Sequence, residues 1–470
     1  MGETKTLTWP LALACAAVSI VSFHFAFALG WSAFVLLFLF GLVGLTNLNS
    51  TRKAFYFGLV IGIFIYAPHL AFFWNIFGWT AALLWLVLAF WLGVFVALAR
   101  SVRLRFGTLG LVLIPFLWTG IEYFRSELYY LKFSWLSLGY AFSSTQNLAY
   151  MAGVGVYGIG FCAMLVAVAV HSWRSVRPFA ICLSILAIVS LSQLLQYTPK
   201  VKGTAMRVAG IQMEFPAGSE VPGALDKALA ASPYADVLLL SEYTFHTPVP
   251  NFVKKWCADH KKYLIVGGTE DLPNGKFYDM AYVIGPNGDV VFKQAKCVPV
   301  QFFNDGLPAT EQKLWESPWG RVGLGVCYDC SYRRVTDELV RQGAQTLIFP
   351  TMDAIEWGGY QHKLHGRVGP LRAAEFGIAV VRIASSGISQ IVGRDGTISA
   401  EAGFPGQGST LVGAIGFGAP GRLPLDHWLA PVCSGLASAM LIFLMAELIL
   451  TRKTRSAQPR LPVNVPAATI

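Results

Sequence analysis

The sequence predicts a multi-span α-helical membrane domain, of about eight transmembrane helices, joined to an α/β domain built on a mixed sheet. Three observations predict it. The 470-residue chain is 55% hydrophobic and only 13% charged, with a mean hydropathy of +0.54, which is too apolar for a wholly soluble protein. Long apolar runs fill the first 200 residues and recur near the C-terminus. Between about 201 and 423, short apolar strands alternate with amphipathic helices and ordinary turn signals.

Apolar runs near the length that crosses a ~30 Å hydrocarbon core fall at 8–29, 31–47, 54–75, 78–99, 107–123, 150–172 and 178–196, and an eighth at 427–450. The first is followed by further runs and shows no small-residue cleavage site, so it reads as a span rather than a removable leader. With Met1 in the cytoplasm, the inside segments hold Lys5, Arg52, Lys53, Arg100, Arg103, Arg105, Arg174, Arg177, Arg452, Lys453, Arg455 and Arg460, against Glu3 alone. That is a positive-inside pattern. It predicts a membrane domain over 1–200 with seven helices, an extracytoplasmic domain over 201–423, an eighth helix at 424–451 and a basic cytoplasmic tail at 452–470. Much of the net charge of +10 is then topology signal, which argues against a nucleic-acid partner.

Within the membrane part, the 124–149 loop mixes charges with Tyr129, Tyr130, Trp135 and Tyr140. It reads either as an aromatic belt at the headgroups or as a lipid-binding shelf. Glu122 ends the fifth span; an ionisable group at that depth is a functional suspect, unless it pairs with Arg125 one turn on. Gly153, Gly155, Gly158 and Gly160 suit close helix packing.

The soluble part reads as strand Arg207–Ile211, helix Ala224–Ala231, strand Val237–Leu240, a helix near 251–260 and strand Tyr263–Val266. Tyr278–Ile284 and Val290–Phe292 flank Pro286-Asn287-Gly288-Asp289, a hairpin turn. After Cys327 come helix 331–343, strand Thr346–Phe349, a helix near 366–376, strand Ile378–Ile383 and a hairpin at Arg394-Asp395-Gly396. Cys15, Cys162, Cys182 and Cys433 lie in spans, whereas Cys257, Cys297, Cys327 and Cys330 lie where a disulfide is permitted. Cys327-x-x-Cys330 invites a zinc or redox reading, but no second ligand pair accompanies it. Neither metal nor cofactor is expected.

Chemistry concentrates on Gly320–Asp329, an apolar strand that stops at Cys327. A thiol facing a following helix N-terminus is favoured as thiolate; the plainer reading is a buried structural cysteine. Glu242 stands two residues past strand Val237–Leu240, and Lys296 follows strand Val290–Phe292. Taken singly, each suits a surface salt bridge. A carboxylate, an amine and a thiol at three strand ends can instead converge as base, oxyanion stabiliser and nucleophile.

The residues Val208-Ala-Gly-Ile-Gln212, Leu240-Ser-Glu242, Lys293-Gln-Ala-Lys296, Gly323-Leu-Gly-Val-Cys-Tyr-Asp329, Arg372-Ala-Ala-Glu-Phe-Gly377 and Val392-Gly-Arg-Asp-Gly396 resemble the nitrilase, or carbon–nitrogen hydrolase, superfamily. That resemblance implies an αββα sandwich and a Glu242–Lys296–Cys327 triad. With Trp118-Thr-Gly-Ile-Glu-Tyr-Phe-Arg125, Ser134-Trp-Leu-Ser-Leu-Gly-Tyr140 and eight spans, the whole chain resembles the apolipoprotein N-acyltransferase family. The resemblance implies a bacterial inner-membrane monomer that takes an acyl chain from a phospholipid and gives it to an apolipoprotein. It implies supporting roles for Tyr328 and Asp329, and substrate contacts for Trp135, Trp357, Gln361 and His362. Two departures stand out. Where the family has a Val-Pro-Phe-Gly-Glu run, this chain has Val298-Pro-Val-Gln-Phe-Phe-Asn-Asp305, leaving Asp305 or Asn304 to substitute for the glutamate. Asp329 is the soluble-nitrilase form of a position where the family more often has Glu, and the Lys296–Cys327 segment is short. The alternatives are a membrane-anchored amidase using the same triad with water, and a non-catalytic paralogue.

Overall fold

The computed structural model describes residues 6–143, 148, 151–194, 203–404 and 408–457. The predicted tail from 458 onward and the junction at 195–202 lie outside them. Each of the eight apolar runs holds a helix: Trp9–Ala28, Phe34–Leu45, Thr51–His69, Ala81–Phe106, Thr108–Tyr123, Val156–His171, Val176–Leu194 and Asp426–Ala457. By length and composition, the segments Trp9–Ala28, Phe73–Phe106 and Asp426–Leu450 are each sufficient to cross a membrane. The other runs give shorter or more polar helices.

Twelve strands occur among the described residues: β1 (Ala205–Ile211), β2 (Val237–Leu240), β3 (Tyr263–Asp271), β4 (Phe277–Ile284), β5 (Val290–Ala295), β6 (Leu314–Ser317), β7 (Gly320–Leu324), β8 (Thr346–Thr351), β9 (Ala379–Ala384), β10 (Ser389–Val392), β11 (Ile398–Ala402) and β12 (Thr410–Gly416). They form two six-stranded sheets, ordered β12-β1-β2-β3-β4-β5 and β11-β10-β9-β8-β7-β6. The β1–β2–β3 and β7–β8–β9 pairings are parallel and the outer ones antiparallel, the mixed pattern the sequence predicts. Period-2 alternation explains how fully buried strands serve two interfaces. In β2, Val237 and Leu239 join the core shared with the second sheet, while Leu238 and Leu240 pack with the helices Glu220–Ala231 and Asn251–His260. The β12 strand, which pairs antiparallel with β1, is not evident in the sequence. Its glycines and half-exposed face mute the hydrophobic signal.

A buried ionic cluster ties the two parts together. Arg333, at the start of the helix Arg333–Arg341, meets Asp426 at the start of the last helix, Asp337 at 3.1 Å and Glu375 at 3.6 Å. Asp426 also accepts the Tyr157 N–H at 2.8 Å, and Glu375 accepts that of Val156 at 3.1 Å. Gly155, at φ +79°, permits this approach, because an added Cβ would sit 2.1 Å from the Asp426 carboxylate. Its packing role is thus partly ionic. Close packing recurs at Gly120, where a Cβ would meet the Cys433 carbonyl at 2.2 Å.

The 124–149 loop departs from the aromatic-belt reading. Trp135 and Tyr140 are buried; Ser134 and Trp135 donate hydrogen bonds to the Ser331 carbonyl (3.3 Å) and hydroxyl (2.8 Å). These rings are packed against the α/β domain rather than set among headgroups, while Tyr130 remains exposed. Glu122 accepts the Leu138 N–H at 2.8 Å, so it anchors this loop, and Arg125 lies over the Tyr66 ring. Replacing Asp426 with Ala leaves Arg333 under-compensated in the interior. Such a loss costs about 3–5 kcal/mol and is expected as a clear fall in thermal midpoint for the detergent-solubilised protein.

Candidate active site

Three strand ends supply the centre. Lys296 follows β5 directly, Glu242 lies two residues past β2, and Cys327 lies three residues past β7. Glu242 comes close to β3, and Gly267 makes room for it, since a Cβ there would lie 2.5 Å from the Glu242 Cα. Cys327 sits at φ +49°, a left-handed conformation costly for a non-glycine residue. It opens a five-residue 3-10 turn, Cys327–Ser331. Asp329 holds that turn by accepting the N–H groups of Val326 (3.0 Å), Cys297 (3.0 Å) and Val298 (2.7 Å). One carboxylate thereby fixes the Cys327 turn to the Lys296 loop, although burial pushes it up to about 6.

Lys296 is 1% exposed and its Nζ lies 2.6 Å from Glu242, 2.7 Å from Asp305 and 3.4 Å from Asp279. Burial alone would strip its proton; the three carboxylates outweigh burial and hold it well above the ordinary lysine range, so it stays an ammonium. Asp279 is pushed up by burial and then by Glu242, which favours a neutral acid there. Asp305 is held by the Tyr243 hydroxyl (2.8 Å) and the Val300 N–H (2.6 Å). Glu242 accepts the Met352 N–H at 2.6 Å, and the Met352 carbonyl lies 3.5 Å from the Cys327 sulfur.

The expected thiolate is not what this geometry favours. Burial first, and the Glu242 carboxylate second, push the Cys327 thiol well up, with Lys296 pulling the other way. The nearest helical element is a single short turn, too brief to present a macrodipole. Burial and Glu242 both favour the thiol over the thiolate at Cys327.

Cys327 lines two cavities. One is apolar, about 110 Å³, and is walled by Phe72, Phe73, Ile76, Phe77, Leu84 and Leu88 from the helical part. The other is polar, about 370 Å³, and is lined by Glu242, Lys296 and Asp305. Tyr328, Trp135, Trp357 and Gln361 line the apolar cavity. Trp135 stacks on His365 at 4.6 Å and meets Tyr328 edge-on. His362 differs: it is fully buried, stacked on Phe404, and faces neither cavity. His365, one turn later, faces the apolar cavity in its place. Cys330 lies 3.7 Å from His365, and all eight cysteines are free thiols.

Sequence reasoning passed over Asp279 and Asp353. Asp279 interrupts an apolar strand, which was a legible signal. Asp353 gathers Arg382, Gln361 (3.1 Å) and His365 (2.8 Å) at the wall of the apolar cavity, and nothing local marks it. The raised Cys327 thiol predicts slow alkylation by iodoacetamide at neutral pH. The rate should climb through the alkaline range as thiolate forms, followed by mass spectrometry of the Cys327 peptide.

The model of the apolipoprotein N-acyltransferase N-terminal domain matches residues 9–169, and that of carbon–nitrogen hydrolases matches 229–418. Apolipoprotein N-acyltransferase of Geobacter metallireducens is 27% identical over 79% of this chain and 82% of its own length. The omega-amidase NIT2 of Bos taurus is 29% identical over 21% of this chain and 38% of its own. Among solved structures, Nit3 of Saccharomyces cerevisiae, a nitrilase-superfamily member, superposes with a TM-score of 0.40 at 18% identity, over 47% of this chain and 93% of that one.

Proposed function

Since the chain belongs to the apolipoprotein N-acyltransferase family of the carbon–nitrogen hydrolase superfamily, we propose that it moves an acyl chain from a phospholipid, through a Cys327 thioester, to the α-amine of an S-diacylglyceryl cysteine on an apolipoprotein. The observation that carries this reading is the position of Cys327, between an apolar cavity walled by the helical part and a polar cavity holding Glu242 and Lys296. A soluble amide substrate has no need of the apolar half.

In this reading Glu242 takes the thiol proton as sulfur attacks the ester carbonyl. The Lys296 ammonium stabilises the oxyanion. The carbon–oxygen bond breaks, the departing lysophospholipid oxygen receives the proton from Glu242, and a thioester remains. Asp305 and Asp279 keep Lys296 charged and aimed, Asp329 fixes the Cys327 turn, and Tyr328, Trp135, Trp357 and Gln361 border the acyl chain. Seven membrane crossings before the α/β domain and one after it would place the site on the outer face of a bacterial inner membrane, with the tail inside. The positive-inside charges and the eight helices support that topology.

The test is complementation of a strain depleted of N-acyltransferase, with lipoprotein N-termini read by mass spectrometry. The wild type is expected to restore N-acylated termini and to form an acyl-enzyme one acyl group heavier, and Cys327→Ala to do neither. Equal acyl-enzyme in Cys327→Ala would overturn the assignment. Free fatty acid or ammonia with unmodified termini would mark the amidase alternative, and an unchanged phenotype in Glu242→Ala the non-catalytic one.

A further inference from the structure

The polar cavity has a wall that the triad does not use. Thr269 and Asp271 are two residues apart on β3, so their side chains share one face of the strand, and both line the cavity. Thr269 is 5% exposed, yet its hydroxyl has no hydrogen-bond partner among the described residues. A buried hydroxyl without a partner loses about 1–3 kcal/mol, and its location in a cavity wall identifies a place for a ligand atom. Asp271 is exposed and makes no ion pair among the described residues. The charge balance gives the sign of the ligand. The lining holds the carboxylates of Glu242, Asp271 and Asp305, and its lysine, Lys296, is already enclosed by three carboxylates. An anionic group meets repulsion here and an ammonium meets attraction. A stack of rings borders the same wall: Phe215 on His246 at 5.7 Å and His246 on Tyr243 at 5.6 Å. Phe215 (φ +44°) and Tyr243 (φ +50°) both hold strained backbone to take part in it, and strain of that kind gathers at ligand sites.

We propose that Thr269 and Asp271 form the acceptor subsite, which takes a primary ammonium at the end of a peptide chain whose first residues lie along the Phe215–His246–Tyr243 stack. The proposal rests on the acyltransferase reading and assigns its second step to a separate entrance. The acyl chain occupies the apolar cavity, and the amine arrives from the polar one. The ammonium is held by Asp271 and the Thr269 hydroxyl and releases one proton to solvent. The amine nitrogen then attacks the thioester carbonyl, the carbon–nitrogen bond forms and the carbon–sulfur bond breaks. Glu242 takes the second amine proton and returns it to the Cys327 sulfur, so the enzyme ends as it began.

The test uses the full chain, loaded to the thioester with dioleoylphosphatidylethanolamine vesicles. It is then discharged either by a synthetic S-dipalmitoylglyceryl-cysteine peptide or by water alone. Thr269→Val and Asp271→Asn are each expected to raise the KM for the peptide about tenfold, as loss of a hydrogen bond to a charged group does, while discharge by water keeps its rate. Asp271→Glu, which keeps the charge, should retain a near-normal KM. An unchanged KM in both variants overturns the subsite. So does an equal change in discharge by water, which would mean that the Cys327 centre itself had moved. If the wild type forms no thioester from these vesicles, the acyltransferase reading fails and the subsite with it. If the thioester forms and only the KM prediction fails, the subsite alone is lost.

Discussion

One buried ammonium constrains the α/β half of this molecule. Lys296 lies where water cannot reach it, and an isolated charge there would be prohibitively costly. It keeps its proton because Glu242, Asp305 and Asp279 surround it. Those three carboxylates arrive from the ends or interiors of β2, β4 and the loop after β5, so the cluster forms only once the first sheet is paired in register. Three carboxylates around one cation carry excess negative charge, which a neutral acid among them lowers. Asp279, most deeply buried and raised by burial and by Glu242, is the group that relieves it. The same burial, with Glu242 beside it, holds the Cys327 thiol well above its ordinary range.

A second ionic cluster does for the whole chain what Lys296 does for the site. Arg333 begins the helix that follows the Cys327 turn, and it meets Asp426 where the last apolar helix begins. Arg372 and Glu375 extend the cluster beneath the same turn, through Arg372 donors to the Cys330 and Ser331 carbonyls at 3.0 Å. The Ser331 carbonyl and hydroxyl in turn receive Ser134 and Trp135 from the 124–149 loop. The Cys327 turn is therefore clasped from below by the helical part, and the apolar cavity wall is shared between the two.

Much of the site was legible because its residues are local to recognisable elements. A strand that ends near a glutamate, a lysine or a cysteine needs only period-2 alternation to be read, and those three residues stand at the strand ends the sequence predicts. Asp305 was legible as a carboxylate a few residues past Lys296, and the structure brings the two to 2.7 Å. His362 and His365 illustrate the opposite case. They lie three residues apart on one short helix, and the sequence holds no sign of which faces the cavity. Packing decides it, with His362 stacked on Phe404 and His365 stacked on Trp135 from the far end of the chain. The 124–149 aromatics misled for a related reason. A ring suited to headgroups is equally suited to an interface between domains, and the distinction lies in a partner some 200 residues away.

The sequence by itself determined the apolar helices, the strand–helix alternation, the Glu242–Lys296–Cys327 set and the family. Each depends on composition, periodicity or short motifs, and those act over a few residues. Tertiary structure alone decided the protonation of Cys327, the approach of Asp279 to Lys296, the burial of Trp135 and the division of space around the sulfur into an apolar and a polar cavity. Charge state and cavity shape depend on which distant groups are brought within a few ångströms and cut off from water, and no local pattern carries that information.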